Sequence, residues 1–262
     1  MSNIHQFSSV NPDAKIASDV VIGPFTTIDA NVEIGEGCRI GSNVTILSGA
    51  RIGKNVTIFP GAVISAIPQD LKFKGEDTTA IIGDNCVIRE CVTVNRGTAA
   101  KGRTVIGKNC LLMAYSHIAH DCILGDNIII SNASQIAGEV QIDDYAIIGG
   151  GSLIHQFCHI GTHIMMQGGA LVNKDVPPYA MVGREPLCFT GLNVVGLRRR
   201  GFSAEKIAEI NEIYRIIYDS GRNISEAVNY VEESMPRTPE RDIIIDFVRK
   251  GERGIVRAYT GK

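Results

Sequence analysis

Isoleucine occupies every sixth position from Ile16 to Ile64, with Ile22, Ile28, Ile34, Ile40, Ile46, Ile52 and Ile58 between them. Two places before each stands a small or β-branched residue: Ala14, Val20, Thr26, Val32, Cys38, Val44, Ala50, Val56 and Ala62. Glycine often follows the isoleucine, as at Gly23, Gly35, Gly41 and Gly53. The register returns at Ile82, Ile88 and Val94. It then runs from Ile106 through Leu112, Ile118, Leu124, Ile130, Ile136, Ile142, Ile148, Ile154, Ile160 and Met166 to Val172. A six-residue period fits no amphipathic helix, whose apolar stripe follows a turn of about 3.6 residues. Residues two apart in a strand face the same side, so the small and large members of each hexad point inward together. Glycine then permits the sharp turn that must end so short a strand. The pattern predicts a three-sided parallel coil with three hexads per turn, its strands stacked at roughly 4.8 Å. Ser65–Ile81 and Asn95–Val105 interrupt the register without shifting its phase, and read as loops thrown out of a continuous coil.

After Pro177-Pro178 the period stops. Ser203 is placed to cap a helix carrying Ile207, Ile210, Tyr214 and Ile217 and closed by Gly221. A second helix is expected over Ser225–Ser234. A third begins at Thr238-Pro239, with Ile243, Ile244, Phe247 and Val248 as its apolar stripe. The chain thus divides into an all-β triangular prism over 1–190 and a small α-helical domain over 191–262. One use for that domain is to cover the last coil, whose open edge would invite aggregation.

Composition narrows the functional classes. The chain has 262 residues, with Lys+Arg 26 against Asp+Glu 28, so a chain-wide nucleic-acid binder is not expected. No run approaches the apolar length of a membrane span, and the start, MSNIHQFSSV, lacks the basic flank and apolar core of a signal peptide. Seven cysteines, an odd number in a chain too large to need staples, point to reduced thiols in a cytosol. Cys38, Cys86, Cys110, Cys122 and Cys158 all hold the small inward position and read as core filler. Cys91 and Cys188 lie outside it.

The richest polar segment is Ser116-His117-Ile118-Ala119-His120-Asp121. Ile118 points inward, His117 outward, and His120 falls in the following turn, where it is expected to reach solvent or a ligand. One coil on from His120 lies Gly138, and one further lies Gln156, so the three should stack on one edge. Asp121 is placed to hold the His120 ring in one tautomer. Gly138 has no side chain to shield its N–H, a donor suited to an oxygen gaining negative charge. An isolated His-Asp pair is more often a hydrogen-bonded turn; His117 and the glycine one coil away favour a general base with an oxyanion site. No serine or cysteine sits in a nucleophile setting, which favours direct transfer. His155, His159 and His163 are spaced as helical metal ligands, but in a coil they point to different corners. No metal site within one chain is expected from them; ligands shared between subunits stay open. The polar insert Ile67–Gly75 and the run Arg198-Arg199-Arg200 are further candidates, the latter suited to phosphates.

These hexads resemble the left-handed β-helix family, from which the expected hand is taken. More specifically, the chain resembles the UDP-N-acetylglucosamine acyltransferase family of lipid A synthesis over nearly its whole length. The resemblance rests on Gln69-Asp70-Leu71-Lys72, Ile88-Arg89-Glu90, Asn95-Arg96-Gly97-Thr98, His117–Asp121, Val140–Asp144, His155-Gln156-Phe157, Asp175–Tyr179 and Gly196–Phe202. It implies a cytoplasmic homotrimer that moves an (R)-3-hydroxyacyl chain from acyl carrier protein to the 3-hydroxyl of UDP-N-acetylglucosamine. No cofactor is implied beyond the carrier's phosphopantetheine. His120 matches the general base, Asp121 the residue orienting it and Gly138 the oxyanion donor. Asp70, Lys72, His117, His155, Gln156, Asn193 and Arg199 match positions binding nucleotide sugar or acyl-phosphopantetheine. Gly168 matches the position that leaves room for a long acyl tail. Two positions depart from the pattern: Glu139 stands where a histidine is usual, and Val195 where an acidic residue is usual. The rivals are a related sugar-amine N-acyltransferase and a γ-carbonic-anhydrase-like metalloenzyme on the same coil.

Overall fold

The computed structural model describes residues 3–259. Strands of mostly two residues form three sheets of eleven, nine and eight strands, parallel but for one terminal hairpin, which are the faces of one left-handed parallel β-helix. In the first sheet Ile22 pairs with Ile40, and Ile40 with Ile58. The second carries Ile118, Ile136, Ile154 and Val172 in register, and the third Ile106, Leu124, Ile142 and Ile160. The inward residues of all three sheets merge into a single apolar core, almost every member of which is inaccessible to solvent. Cys38, Cys86, Cys110, Cys122 and Cys158 lie in that core, and all seven thiols are free.

The excursions are shorter than the broken register predicts. Val63–Ala66, Thr79–Ile82, Thr93–Asn95 and Arg103–Ile106 are strands, leaving 67–78 and 96–102 outside the coil. Thr79–Ile82 pairs residue for residue with Arg103–Ile106, because ladder bonds continue where the side-chain pattern has lapsed.

Turn chemistry also differs from the expectation. Gly23, Gly35, Gly41 and Gly53 are not among the residues with positive φ. They are small because the next coil lies against them: a Cβ on Gly23 would come within 2.8 Å of Gly41 backbone. The left-handed turn residue is often asparagine instead, as at Asn43, Asn55, Asn85, Asn109 and Asn127, with φ between 55° and 59°. Asparagine tolerates this conformation better than most residues, for which it costs about 1–2 kcal/mol. Stacked amides offset part of that cost: Asn55 Nδ2 donates to Asn85 Oδ1, and Asn85 Nδ2 to Asn109 Oδ1.

Beyond the prolines an antiparallel hairpin, Ala180–Gly183 with Cys188–Leu192, extends the first sheet; nothing in the hexad pattern announced it. Four helices follow: α1 Val194–Arg199, α2 Ala204–Asp219, α3 Ile224–Ser234 and α4 Pro239–Lys250. Asn193, Ser203, Asn223 and Thr238 cap their N-termini by accepting backbone N–H donors. The helices pack into a second core with Tyr179 and Leu192, and the Tyr214 hydroxyl donates to the Pro178 carbonyl at 2.6 Å. The tail then returns, Val256 N–H donating to Asp175 O and Phe189 N–H to Arg257 O, so the last coil is covered. Among the described residues no helix is long and apolar enough to cross a membrane.

Ile46 is fully buried and its neighbour Thr45 faces outward. Ile46→Ala is expected to lower the unfolding free energy by about 2–5 kcal/mol. Thr45→Ala should change it by no more than about 0.5 kcal/mol. Urea unfolding of the two variants checks the difference.

Candidate active site

The turns between the second and third sheets stack His120, Gly138 and Gln156 along one edge, as the coil arithmetic requires. With Gln69, Asn95 and His117 they line a pocket of about 350 Å³. A larger cavity, about 1950 Å³, lies between the hairpin and the helices. No histidine lines that one, whereas the smaller pocket holds His117 and His120 together.

His120 is not the open turn residue expected. It is 7% exposed, its ring lying against Gly138 one coil on, while the insert at 96–102 folds over Asp121 beside it. Asp121 is wholly inaccessible and is the left-handed residue of its turn, φ 60°. Its Oδ2 lies 2.8 Å from His120 Nδ1 and accepts from the Thr98 hydroxyl at 2.6 Å. The Thr98 N–H donates to both carboxylate oxygens at 3.0 and 3.1 Å, and the Lys101 N–H to Oδ1 at 3.2 Å. Burial pushes this carboxyl up, but the bonds from Thr98 and His120 outweigh it and hold it below the usual carboxylate range. A buried anion of this kind favours Nδ1–H on His120, which leaves the Nε2 lone pair for the pocket.

Nε2 lies against Gly138, where a Cβ would approach it to 2.5 Å. The N–H of residue 138 occupies a turn position that the inter-coil ladder does not use. At the next edge the equivalent amides of Lys54, Lys108 and Asp126 each donate to an aspartate one coil on: Asp84, Asp126 and Asp144. The residue one coil beyond Gly138 is Gln156, and no bond from the Gly138 N–H occurs among the described residues. A bare donor therefore stands beside a bare imidazole nitrogen. His117 lies on the strand that leads into this turn, its Nδ1 2.7 Å from the Thr93 hydroxyl; burial, and then the neighbouring His120, push it down from its ordinary value.

The other candidate residues scatter. Gln69, which the residue-by-residue reading passed over, lines the pocket, while Asp70 and Lys72 lie beyond it on the same insert, Asp70 Oδ1 accepting from the Lys72 N–H. His155 is exposed, its Nδ1 3.1 Å from the Gln156 carbonyl. Gly168 sits at the opposite edge of the second sheet, against Gly150. Between it and the pocket the outward Leu153 and Leu171 are 48% and 51% exposed. Asn193 and Arg199 stand at the third edge, where Asn193 Nδ2 donates to His163 O. One chain therefore does not bring them to His120. Arg199 points to solvent, whereas Arg200 lies over the Tyr145 ring with Nη1 buried and unpartnered. The signal for Arg200 was present in the three-arginine run, but sequence does not say which of the three turns inward. His163 stacks on Tyr145 and Tyr179, and burial followed by the Arg200 charge pushes it down to about 4. His159 is 2.9 Å from both Asp143 carboxylate oxygens and packs on Phe247. The three regularly spaced histidines thus go to three separate places.

A coil of hexads carrying an acid–base pair on one edge defines the hexapeptide-repeat transferase class, and the model for "Bacterial transferase hexapeptide (six repeats)" matches residues 103–138. "Udp N-acetylglucosamine O-acyltransferase; Domain 2" matches residues 175–256, and "GMPPB C-terminal domain" residues 4–98. The acyl-(acyl-carrier-protein)–UDP-N-acetylglucosamine O-acyltransferase of Chlorobaculum parvum is 58% identical over 97% of both chains. Its counterpart from Aquifex aeolicus is 57% identical over 98% of both. The crystal structure of a UDP-N-acetylglucosamine acyltransferase from Bacteroides fragilis superposes with a TM-score of 0.95 at 55% identity, covering 97% of this chain and 100% of that one. The chain belongs to the UDP-N-acetylglucosamine O-acyltransferase family.

Gly138→Ala should push the imidazole aside and lower turnover by about 100-fold or more, since a displacement near 1 Å carries that cost. Steady-state kinetics beside an unchanged circular dichroism spectrum check it. For His163, the unfolded chain takes up a proton near pH 6.5 and the folded chain only near pH 4. Stability present above the first value is therefore lost as the pH falls toward the second. Urea midpoints at pH 7 and pH 5 should fall less for His163→Asn than for the parent.

Proposed function

We propose that this chain transfers an (R)-3-hydroxyacyl group from acyl carrier protein to the 3-hydroxyl of UDP-N-acetylglucosamine, the first step of lipid A biosynthesis. The observation that carries the reading is the His120 imidazole, backed by a buried anion, beside the unused Gly138 N–H in an open pocket. His120 Nε2 takes the proton of the sugar hydroxyl as its oxygen attacks the thioester carbon. The carbonyl oxygen becomes an anion and accepts a hydrogen bond from the Gly138 N–H. Collapse breaks the C–S bond, His120 returns the proton to sulfur, and an ester and a free phosphopantetheine thiol leave. Asp121 stabilises the imidazolium between the two transfers. No covalent enzyme intermediate and no cofactor enter this scheme.

Substrate contacts follow the same edges. His117 and Gln156 line the pocket at the reacting groups, and Asp70, Lys72 and His155 bind the parts of the substrates that extend beyond it. The outward face of the second sheet, through Leu153 and Leu171, offers the acyl tail an apolar track toward Gly168. Asn193 and Arg199, which lie on another edge of the prism, reach this pocket only from a second copy; a homotrimer with sites between subunits supplies them, and places Arg200 there too. Glu139, whose N–H donates to the His120 carbonyl, and the exposed Val195 alter the sugar's surroundings without bonding to the His120 imidazole. Seven free thiols accord with a cytoplasmic location. The acidic carrier protein would be steered by basic residues near the cleft.

Mass spectrometry of the product from UDP-N-acetylglucosamine and a panel of 3-hydroxyacyl carrier proteins tests the activity; a 3-O-ester is expected, and an amide or no product refutes it. His120→Ala should cost about 10²–10⁴ in kcat with the trimer intact. Near-parental turnover would remove His120 as base.

A further inference from the structure

The insert at 96–102 has no part in the transfer steps above, yet it supplies three of the four donors on Asp121. We infer that Thr98 is a positioning residue for the reaction, holding Asp121 as a fixed anion so that His120 presents Nε2 to the acceptor hydroxyl. The inference rests on His120 being the base.

The polarity of the Thr98 hydroxyl is set by its neighbours. Its oxygen accepts from the Ala100 N–H at 3.2 Å, so its single proton turns to Asp121 Oδ2. That oxygen is also the one facing His120 Nδ1. Thr98 and His120 therefore compete for the same lone-pair density, and Thr98 restrains how strongly the carboxylate pulls on the imidazole proton. The far side of the turn is fixed too, because the Asp121 N–H donates to the Thr104 hydroxyl at 2.9 Å. The carboxylate is thus clamped through its two oxygens and through its own backbone. Its Nδ1 partner can rotate only by breaking a bond that no water can replace, Asp121 being inaccessible. The titratable groups around the pair are His117 on the adjacent strand, Lys101 on the insert, Cys122 in the core beneath and Glu139 on the next coil. None of them bonds to Oδ2.

The test is kcat and KM against pH for the full-length enzyme with acyl carrier protein substrate and UDP-N-acetylglucosamine. Thr98→Val, which keeps shape and loses the hydroxyl, should lower kcat by about 10–100-fold, with both KM values within about twofold. The acid limb of its kcat/KM profile should move up, because the share of Oδ2 that Thr98 gave up passes to the Nδ1 proton. Thr98→Ser should stay within about threefold of the parent. In a His120→Ala background Thr98→Val should cost nothing further. Parental kinetics in the valine variant, a serine variant as slow as valine, or an equal loss in the His120→Ala background would each overturn the inference. If the valine protein does not fold, Thr98→Cys, a weaker donor of similar size, carries the same expectation with a smaller loss. Near-parental turnover of His120→Ala alone would instead remove the base, a result read independently of Thr98.

Discussion

Hydrogen bonding between successive coils is the constraint on which the molecule depends. A strand N–H donates to a carbonyl seventeen positions on, as His117 does to Ser134 at 2.9 Å and Ile123 to Val140 at 3.0 Å. Repeated along three faces, that bond turns a linear chain into vertical columns of residues. Inward columns are isoleucine over isoleucine, each burial stabilising by about 1.5–3 kcal/mol. Corner columns are asparagine over asparagine, or histidine over glycine over glutamine. The second kind of column is as strictly placed as the first, because the same ladder sets both.

Chemistry appears where the ladder leaves a group unused. Strand amides are consumed by the neighbouring coil and cannot serve a substrate. The turn amide two places after each large inward residue is spared; at one edge aspartates absorb it, whereas at the edge holding His120 that of residue 138 is left bare. The same scarcity explains the insert. A plain coil spares too few donors to surround a buried carboxylate on its own, and an isolated anion in that position would take up a proton instead. By leaving the coil for seven residues, 96–102, the chain frees amides and a hydroxyl to keep Asp121 charged.

The columns were legible in the sequence because period six is a strong signal and residues 120, 138 and 156 lie whole coils apart. His120, Gly138 and Gln156 meet for that reason, and the caps at Ser203 and Thr238 were equally readable from local chemistry. What stayed hidden depends on contacts without a period. The hairpin 180–192 and α1 follow a proline pair and carry no repeat. Gln69 reaches the pocket from an insert whose path no spacing defines, and only the packed structure separates Arg200, turned onto Tyr145, from Arg199. The glycines after the isoleucines were noticed for the wrong cause: turn formation was inferred, whereas close stacking of coils is what excludes a side chain there.

The prism also explains why the candidate base His120 and the candidate binding residues Asn193 and Arg199 sit on separate edges of one chain. Residues joined through the ladder can share an edge only if they are multiples of eighteen apart, allowing for the inserts. Asn193 and Arg200 lie past the end of the coil and dock onto the edge of Tyr145 and His163. No rearrangement within the rigid core moves them around a corner to His120. A site using both groups must therefore be assembled by packing one prism's edge against another's. The rigidity that aligns imidazole and amide within a chain is thus the same rigidity that holds Asn193 and Arg200 at another edge.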